Sequence, residues 1–291
     1  MYLLITESPA KAKKIQGFLN GNYKVLSSCG HIRDLEKKKT KVYGDPKSFG
    51  IDVDNDFKPK YVIMSDKRDI VKNLKSGSID REIIFAADDD REGEAIAWHT
   101  ANVLKSSVKK ENRIIFREIS KNAIIEALKT PRKIDMNEVN SQQARRIIDR
   151  LIGFKLSPCL WKNISTNEKG LSAGRVQSAL LNLIEKRDDH IRNFVPEEVY
   201  TIEGTFEELD KKSTFTKESD IDTEDLFETF AQDRTFKKSS VEEKKVKDYP
   251  EKPFITSTLQ QTASRSFGFS IKQTMNIAQK LYEGGHITYM R

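Results

Sequence analysis

The chain has few cysteines and no long apolar segment. Of its 291 residues, two are cysteine, Cys29 and Cys159, and they show no CxxC spacing, so we predict neither a disulfide framework nor a structural zinc site. No segment approaches the roughly 18 consecutive apolar residues that a membrane span needs, and the first residues lack the apolar core of a signal peptide. We therefore expect a soluble protein of the reducing cytoplasm, with no membrane partner.

Acidic residues are also fewer than basic ones. Lys and Arg number 51 against 44 Asp and Glu, which gives a formal net charge of +7 and a pI near 9.1. A positive protein suits a polyanionic partner such as nucleic acid, although many basic proteins bind nothing acidic. The length corresponds to about two domains.

Strands and helices alternate in the first part of the chain. Residues 2–5 form an apolar run, and Ser8 and Pro9 are typical of a helix N-cap and its first helical position. Further apolar runs at 61–64 and 83–87 predict more buried strands. The alternation predicts a parallel sheet with helices on both faces.

The pattern becomes helical from about residue 137. Apolar residues recur at helical spacing in 140–158, which predicts one buried face with the charged side chains elsewhere. That face comprises Ala144, Ile147, Ile148, Leu151 and Ile152. A second helix follows a glycine-rich entry, and its apolar face comprises Val176, Ala179, Leu180 and Leu183. Residues 199–248 predict short strands and an acidic surface loop.

The last segment predicts another helix, which Ser270 and Gln273 begin with a capping box and two glycines end. Its predicted buried face comprises Ile271, Met275, Ala278 and Tyr282.

Carboxylates are concentrated in "FAADDDREGEAIAWH", residues 85–99, where a predicted strand ends. Ligands gather at the carboxyl ends of parallel strands, and both Glu7 and Asp88 fall at such ends. Asp88, Asp90 and Glu92 alternate as the chain leaves the strand, so they can converge while the residues between them turn away. Converging carboxylates repel one another unless a cation lies among them, and hard oxygen ligands favour Mg²⁺. The alternative is an acidic turn that caps the next helix.

Six motifs, in order along nearly the whole chain, resemble those of the type IA DNA topoisomerases. They are "ESPAKAKKI", "GHIRDL", "DDDREGEAIAWH", "QQARRIIDRLIGF", "GLSAGRVQSALL" and "PFITSTLQQTAS…ITYMR". The third and last motifs resemble the bacterial topoisomerase I branch more than the topoisomerase III branch, in which a proline commonly follows the tyrosine.

The resemblance implies four regions. They are an α/β Toprim domain (1–135), a mostly helical single-strand DNA-binding domain (136–195), a small β-rich arch segment (196–250) and the start of a helical tyrosine-bearing domain (251–291). We expect the chain to be an amino-terminal fragment that acts as a monomer.

The resemblance also implies a reaction. Tyr289 attacks one DNA strand to form a transient 5′-phosphotyrosine, a strand passes, and religation relaxes negative supercoils without ATP, in agreement with the absence of a GxxxxGK[ST] loop. Arg291 and Lys11 steady the phosphate, and Glu7 transfers a proton to the leaving 3′ oxygen. Mg²⁺ on Asp88, Asp90 and Glu92, with Glu7 beside it, serves mainly religation. Alternatively, Tyr289 is an ordinary strand tyrosine and Glu7 only caps a helix.

Further residues are implied to contact single-stranded or negatively supercoiled DNA. They are His31, Arg145, Arg146, Asp149, Phe154, Arg175 and Gln177. Phe154 stands where a tyrosine is common, so base stacking is kept and a hydroxyl hydrogen bond is lost. Arg145 and Asp149 alternatively form a surface ion pair at i, i+4, and His31 is alternatively a core residue or a loop hydrogen-bonder. The other histidines, His99, His190 and His286, are expected to be structural or on the surface.

Other functions stay open on the sequence. One is a fragment that binds single-stranded DNA without strand passage, and another is a topoisomerase III-like decatenase. A third is a different Toprim enzyme, primase-like or nuclease-like, which would need the carboxylates but not "ITYMR".

Overall fold

The structure is a computed structural model that describes residues 1–37, 49–164, 170–196, 202–205, 212–215, 240 and 242–290. It divides into two compact units, Met1–Ala179 with Pro253–Arg291, and Leu180–Lys252. Arg291, expected to steady the phosphate, lies outside the described residues, as does most of the predicted arch segment. The four predicted regions and their boundaries stay a prediction.

The strands are short and the helices longer. The strands are β1 (Tyr2–Thr6), β2 (Tyr23–Ser27), β3 (Arg33–Leu35), β4 (Ile51–Asp52), β5 (Lys58–Pro59), β6 (Tyr61–Ile63), β7 (Glu82–Phe85), β8 (Ile202–Thr205) and β9 (Lys212–Phe215). The helices are α1 (Pro9–Phe18), α2 (Arg68–Ser78), α3 (Arg91–Leu104), α4 (Lys121–Lys129), α5 (Met136–Asn163), α6 (Arg175–Arg192), α7 (Thr256–Phe267) and α8 (Ile271–Glu283).

A three-stranded parallel sheet in the order β2-β1-β7 forms the centre of the first unit. Side chains alternate along β1, so Leu4 faces a core shared with α1 and α4, while Leu3 and Ile5 face a second core shared with α2 and α3. The side chains of Leu3, Leu4 and Ile5 are all buried. The predicted parallel sheet with helices on both faces is confirmed.

The apolar run at 61–64 is not part of this sheet. β6 pairs antiparallel with β3, with Arg33 opposite Ile63, and Val62 and Ile63 are 37% and 38% exposed. The ring of Tyr61 instead packs on His99, with the ring centroids 4.5 Å apart. The prediction of a buried strand was wrong here, because a run of four apolar residues does not say with which partner strand it will pair.

The buried face of α5 also differs from the prediction. Ile148 is 43% exposed, whereas Gln142 and Arg150 are 6% and 8% exposed. Arg150 is buried because its guanidinium meets the Asp34 carboxylate at 3.4 Å, and a paired charge tolerates burial better than an isolated one. Ile147, at the edge of this face, is partly buried against the small core around Phe49.

The two later predicted helices are present, but their apolar faces are not all buried. In α6, Val176, Leu180 and Leu183 are 64%, 55% and 64% exposed, so the prediction of a buried face is wrong for the described part of the chain. In α8, Tyr282 is fully buried while Ile271 is 65% exposed, since Ile271 opens the helix next to its N-cap Ser270. The Ser270 hydroxyl accepts from the backbone N–H of Gln273 at 3.2 Å, which gives half of the predicted capping box.

Both cysteines are free thiols, as predicted. Among the helices in the described ranges, each is too short or too polar to cross a membrane.

Candidate active site

The carboxyl ends of β1 and β7 lie side by side and open into one cavity. Ile5 pairs with Phe85, and the backbone N–H of Ala86 donates to the Ile5 carbonyl at 2.8 Å, so the chain segments that follow both strands stay adjacent. The cavity measures about 260 Å³. It is lined by Glu7, Asp88, Asp90, Glu92, Gly93, Ile96, Met275, Asn276, Gln279 and Tyr289. The structure thus brings the predicted acidic residues and the predicted nucleophile together.

Lys11 joins two of the carboxylates. It lies one turn after Glu7 because α1 begins at Pro9, and its fully buried ammonium donates to the carboxylates of Glu7 and Asp88. Burial, and then the charge of Asp88, raise the pKa of Glu7 to about 7, against the opposing attraction of Lys11. The lysine predicted to reach a phosphate is therefore held between acidic groups at the cavity.

Asp90 contacts both a helix and the predicted nucleophile. As the N-cap of α3, its side chain accepts from the backbone N–H of Gly93 at 2.8 Å. Its other oxygen accepts from the phenolic hydroxyl of Tyr289 at 2.5 Å. The Tyr289 backbone N–H donates to the Arg117 carbonyl at 2.7 Å, which fixes the approach of the chain. The helix-capping alternative is therefore realised at Asp90, together with a contact to Tyr289.

Glu92 lies at the open side of the cavity. Its carboxylate lies 2.8 Å from His31 Nε2 and accepts from the Gln142 amide at 3.2 Å. The hydrogen bond with His31 is the largest cause that lowers the pKa of Glu92. His31 therefore lies at the acidic site rather than in a core, and Gln142, which the sequence did not single out, connects α5 to it.

The donor set suits a hard cation, although its present arrangement does not form a metal centre. Four carboxylates line the cavity, and Glu7 Oε2 is buried with no hydrogen-bond partner, which is the chemistry that Mg²⁺ selects. However, no three His, Cys, Asp or Glu side chains of the described ranges are grouped closely enough to hold a metal ion. The predicted convergence on one point is not seen, because each carboxylate has a protein donor. Asp89 turns away and pairs with Arg117 at 3.0 Å, as expected.

A buried ion pair between Arg113 and Glu94 supports the acidic loop that follows β7. Arg113 is fully buried and donates to Glu94 at 2.7 Å and to the backbone carbonyls of Ala87 and Asp88 at 2.7 and 2.6 Å. Sequence reasoning missed both residues. Glu94 lies within the "DREGEA" motif, but no local pattern marks Arg113, which lies 19 residues further along the chain.

Tyr282 is a second tyrosine at the site, beside Tyr289. The sequence predicted it only as part of a buried helix face. Its fully buried hydroxyl donates to Asp88 at 3.0 Å, and its ring lies 5.0 Å from that of Tyr289 between centroids. Burial, and then the charge of Asp88, raise the pKa of Tyr282, so the hydroxyl keeps its proton.

Most of the predicted DNA-binding residues lie along α5 and at the start of α6, outside the acidic cavity. The exception is His31, which precedes β3 and contacts Glu92. Arg146 donates to Asp34 at 2.7 Å, and Phe154 packs on Phe49 with centroids 4.9 Å apart. Asp149 pairs with Arg175 at 3.1 Å, which joins two motifs. The remaining members are Arg145, which is exposed, and Gln177, which accepts a hydrogen bond from Ser172.

A smaller cavity of about 110 Å³ is lined by His31, the partner of Glu92, together with Arg33, Tyr61 and His99. His99 accepts from Arg33 at 3.0 Å. Burial, and then the nearby positive charge of Arg33, lower the pKa of His99 to about 3, so the ring is neutral. His99 is therefore a buried structural histidine, while His190 and His286 are exposed.

Comparison with known proteins is consistent with this geometry. Residues 2–119 match the model of the Toprim domain, and residues 133–291 match the family described as DNA topoisomerase. The fold is similar to the solved full-length topoisomerase I from Thermotoga maritima, with 43% sequence identity and a TM-score of 0.80 over 99% of this chain. The chain spans about half of that protein, since the match covers 49% of its length.

Proposed function

Because this chain belongs to the type IA DNA topoisomerases of the bacterial kind, we propose that it breaks one DNA strand through Tyr289 and rejoins it after strand passage. The intermediate is a bond between the phenolic oxygen and the 5′ phosphate, with a free 3′ hydroxyl. The observation that carries the proposal is the hydrogen bond from Tyr289 to Asp90 in a cavity that is also lined by Glu7, whose carboxylate accepts from Lys11.

Tyr289 needs help to attack a phosphate. A phenol has an ordinary pKa near 10 and is a weak nucleophile at neutral pH. The Asp90 carboxylate accepts the phenolic hydrogen bond at 2.5 Å, so it orients the oxygen and is placed to accept its proton during attack. The Lys11 ammonium would supply positive charge to the phosphate. The phosphate would then compete with the Glu7 and Asp88 carboxylates for this ammonium.

The leaving 3′ oxygen needs a proton. Glu7 is suited to supply it, because a carboxyl group with a pKa of about 7 is partly protonated at neutral pH. Its unpartnered buried oxygen, Oε2, is the atom available for that transfer.

Asp88, Asp90 and Glu92 would hold Mg²⁺, with Glu7 at the edge of the site. The bound ion would supply positive charge to the phosphate during religation. The carboxylates would first have to give up Lys11, Tyr289 and His31, which occupy them in this structure. No nucleotide hydrolysis is required, because the phosphotyrosine conserves the energy of the broken bond.

The DNA partner is a single strand, or the unpaired part of a negatively supercoiled duplex. Arg145, Arg146 and Arg175 would contact its phosphates, and Phe154 would stack on a base. Arg146 and Arg175 are now paired with Asp34 and Asp149, so phosphate would replace carboxylate. We place the protein in the cytoplasm with the host DNA, as a monomer.

The test is covalent capture of a single-stranded oligonucleotide labelled at its 3′ end, with denaturing electrophoresis. The chain should carry the label, Tyr289→Phe should not, and Tyr249→Phe, at an exposed tyrosine, should behave like the unsubstituted chain. Chelation of divalent cations should leave attachment intact and stop religation to an added strand. Binding without attachment would favour the DNA-binding fragment, and nicking by Tyr289→Phe a nuclease-like Toprim enzyme.

A further inference from the structure

Tyr282 contacts three residues of the proposed active site. Its hydroxyl donates to Asp88 Oδ1 at 3.0 Å, and the Lys11 ammonium lies over its ring at 4.8 Å from the centroid. Its ring also packs against that of Tyr289, with centroids 5.0 Å apart and planes inclined by 50°. The side chain is fully buried. It is therefore a physical link between the tyrosine-bearing segment and the acidic strand ends.

The chain path explains how two tyrosines seven residues apart come to lie together. Tyr282 is in the last turn of α8, and the chain reverses at Gly285, which has a φ of 68°. The Lys14 ammonium donates to the Gly284 carbonyl, and Tyr289 is tied back through its N–H to Arg117. The reversal thus packs the nucleophile against Tyr282, whose hydroxyl is hydrogen-bonded to Asp88.

The hydroxyl has a defined electrostatic role. Lys11 and Tyr282 both donate to the same oxygen, Asp88 Oδ1. A buried hydroxyl is costly without a partner, and a phenylalanine would fill the same space in an ordinary core. Two donors on one oxygen fix the carboxylate, and the ring face gives the ammonium a second favourable contact.

We propose that Tyr282 is a positioning residue, which holds the side chains of Lys11 and Tyr289 in place beside Asp88 for attack on the phosphate. The inference rests on the proposed function, because it concerns the same cavity and the same reaction. Tyr282 itself does not react, since its hydroxyl is buried behind Asp88 and Tyr289 is the tyrosine that lines the cavity.

The test compares Tyr282→Phe with Tyr23→Phe in single-turnover attachment to the labelled oligonucleotide. Tyr23 is a matched control because its ring also stacks on a tyrosine, Tyr2 at 5.1 Å, far from the cavity at the opposite end of β1. Loss of a hydrogen bond to a charged group should slow attachment by Tyr282→Phe by about 10- to 100-fold. The dissociation constant for the oligonucleotide should change less than about two-fold, and Tyr23→Phe should match the unsubstituted chain.

A double-mutant cycle separates positioning from a merely structural role. In the background of Asp88→Ala, the hydroxyl has lost its acceptor, so adding Tyr282→Phe should change the attachment rate less than about two-fold. The cycle also tests the inference if Tyr282→Phe lowers the stability of the protein, because a loss of stability would slow attachment with or without Asp88. Equal rates for Tyr282→Phe and the unsubstituted chain, or the full loss repeated without Asp88, would overturn the inference. Failure of the unsubstituted chain to attach would instead overturn the proposed function.

Discussion

Glu7 shows how burial changes the chemistry of a single carboxyl group. Its sequence position, directly after a strand and four residues before a lysine, predicts a site residue. Its raised pKa is not visible in the sequence, because it comes first from desolvation and then from Asp88, 81 residues away. At neutral pH the group is divided between a proton donor and a carboxylate, which suits transfer to a leaving oxygen.

The raised pKa also predicts how stability depends on pH. The folded protein holds the Glu7 proton more tightly than the unfolded chain, so this contribution is fully present below about pH 4.5 and is lost as the pH rises through about 7. Glu7→Gln should remove up to about 3 kcal/mol of the difference in unfolding free energy between pH 4.5 and pH 8. Urea unfolding at both pH values, in the presence of a chelator, measures it.

The control for this measurement is Glu111→Gln, because Glu111 is exposed. It should reproduce the pH dependence of the unsubstituted chain. If Glu7→Gln did the same, the folded protein would not hold that proton more tightly, and Glu7 would lose its support as a proton donor.

Several site residues were predictable because each lies in a motif at the end of a strand. Asp88, Asp90 and Glu92 fall there, and the structure places them on one cavity with Tyr289. Tyr282 was predicted only as part of a buried helix face, since its contact with Asp88 spans 194 residues of sequence. Such a long-range contact leaves no local pattern.

At the scale of elements, the start of α3 shapes the acidic loop. Gly93 packs so tightly that a Cβ there would lie 2.3 Å from the Asp88 carbonyl oxygen. The loop can therefore fold over the helix start only if this position has no side chain, and the Asp90 cap depends on the same turn.

Substitution of Gly93 should therefore be costly. Gly93→Ala should lower the unfolding free energy by about 1–3 kcal/mol through overpacking against backbone and should weaken covalent attachment. Gly17→Ala, in α1 where nothing lies within 4 Å of a new Cβ, should instead stabilise the chain by about 0.5–1 kcal/mol. Chemical denaturation of both variants provides the measurement. A loop that tolerated Gly93→Ala without loss would show that the close approach does not shape the site.

Helix α5 shows why apolar spacing alone can mislead. Its apolar residues predict a core face, but Asp34 on β3 pairs with Arg146 and Arg150, and Arg150 is buried while Ile148 is exposed. The sequence separation is 112 residues for Arg146, so the spacing within the helix contains no trace of it. The helix was predictable, and its orientation was not.

At the scale of the whole molecule, the net charge of +7 is consistent with a DNA partner, and the affinity should depend on salt. Arg145→Ala, which removes an exposed charge in the "QQARR" motif, should weaken binding to all single strands similarly and reduce the salt slope by about 0.7. Fluorescence anisotropy between low and high salt measures the slope. The control is Lys129→Ala, which removes an exposed charge paired with Glu126 on α4 and should leave the salt slope unchanged. Equal slopes for the two variants would show that Arg145 is not part of the DNA-binding surface.

The sequence predicted the parallel sheet of the first unit well, since residues 2–5 and 83–87 are short buried runs that alternate with helices. It did not predict the antiparallel pairing of β3 with β6, or how residues near the end of the chain return to β1 and β7. Both depend on long-range packing, for which only the resemblance to a family gave a guide.

The most direct test of the central claim is to identify the residue that carries the DNA. The chain would be trapped on an oligonucleotide, trimmed with nuclease and protease, and mapped by mass spectrometry. We expect a nucleotide joined through its 5′ phosphate to the peptide that contains Tyr289. A nucleotide on another residue, a linkage through a 3′ phosphate, or no adduct under conditions in which the strand is cut would contradict the account.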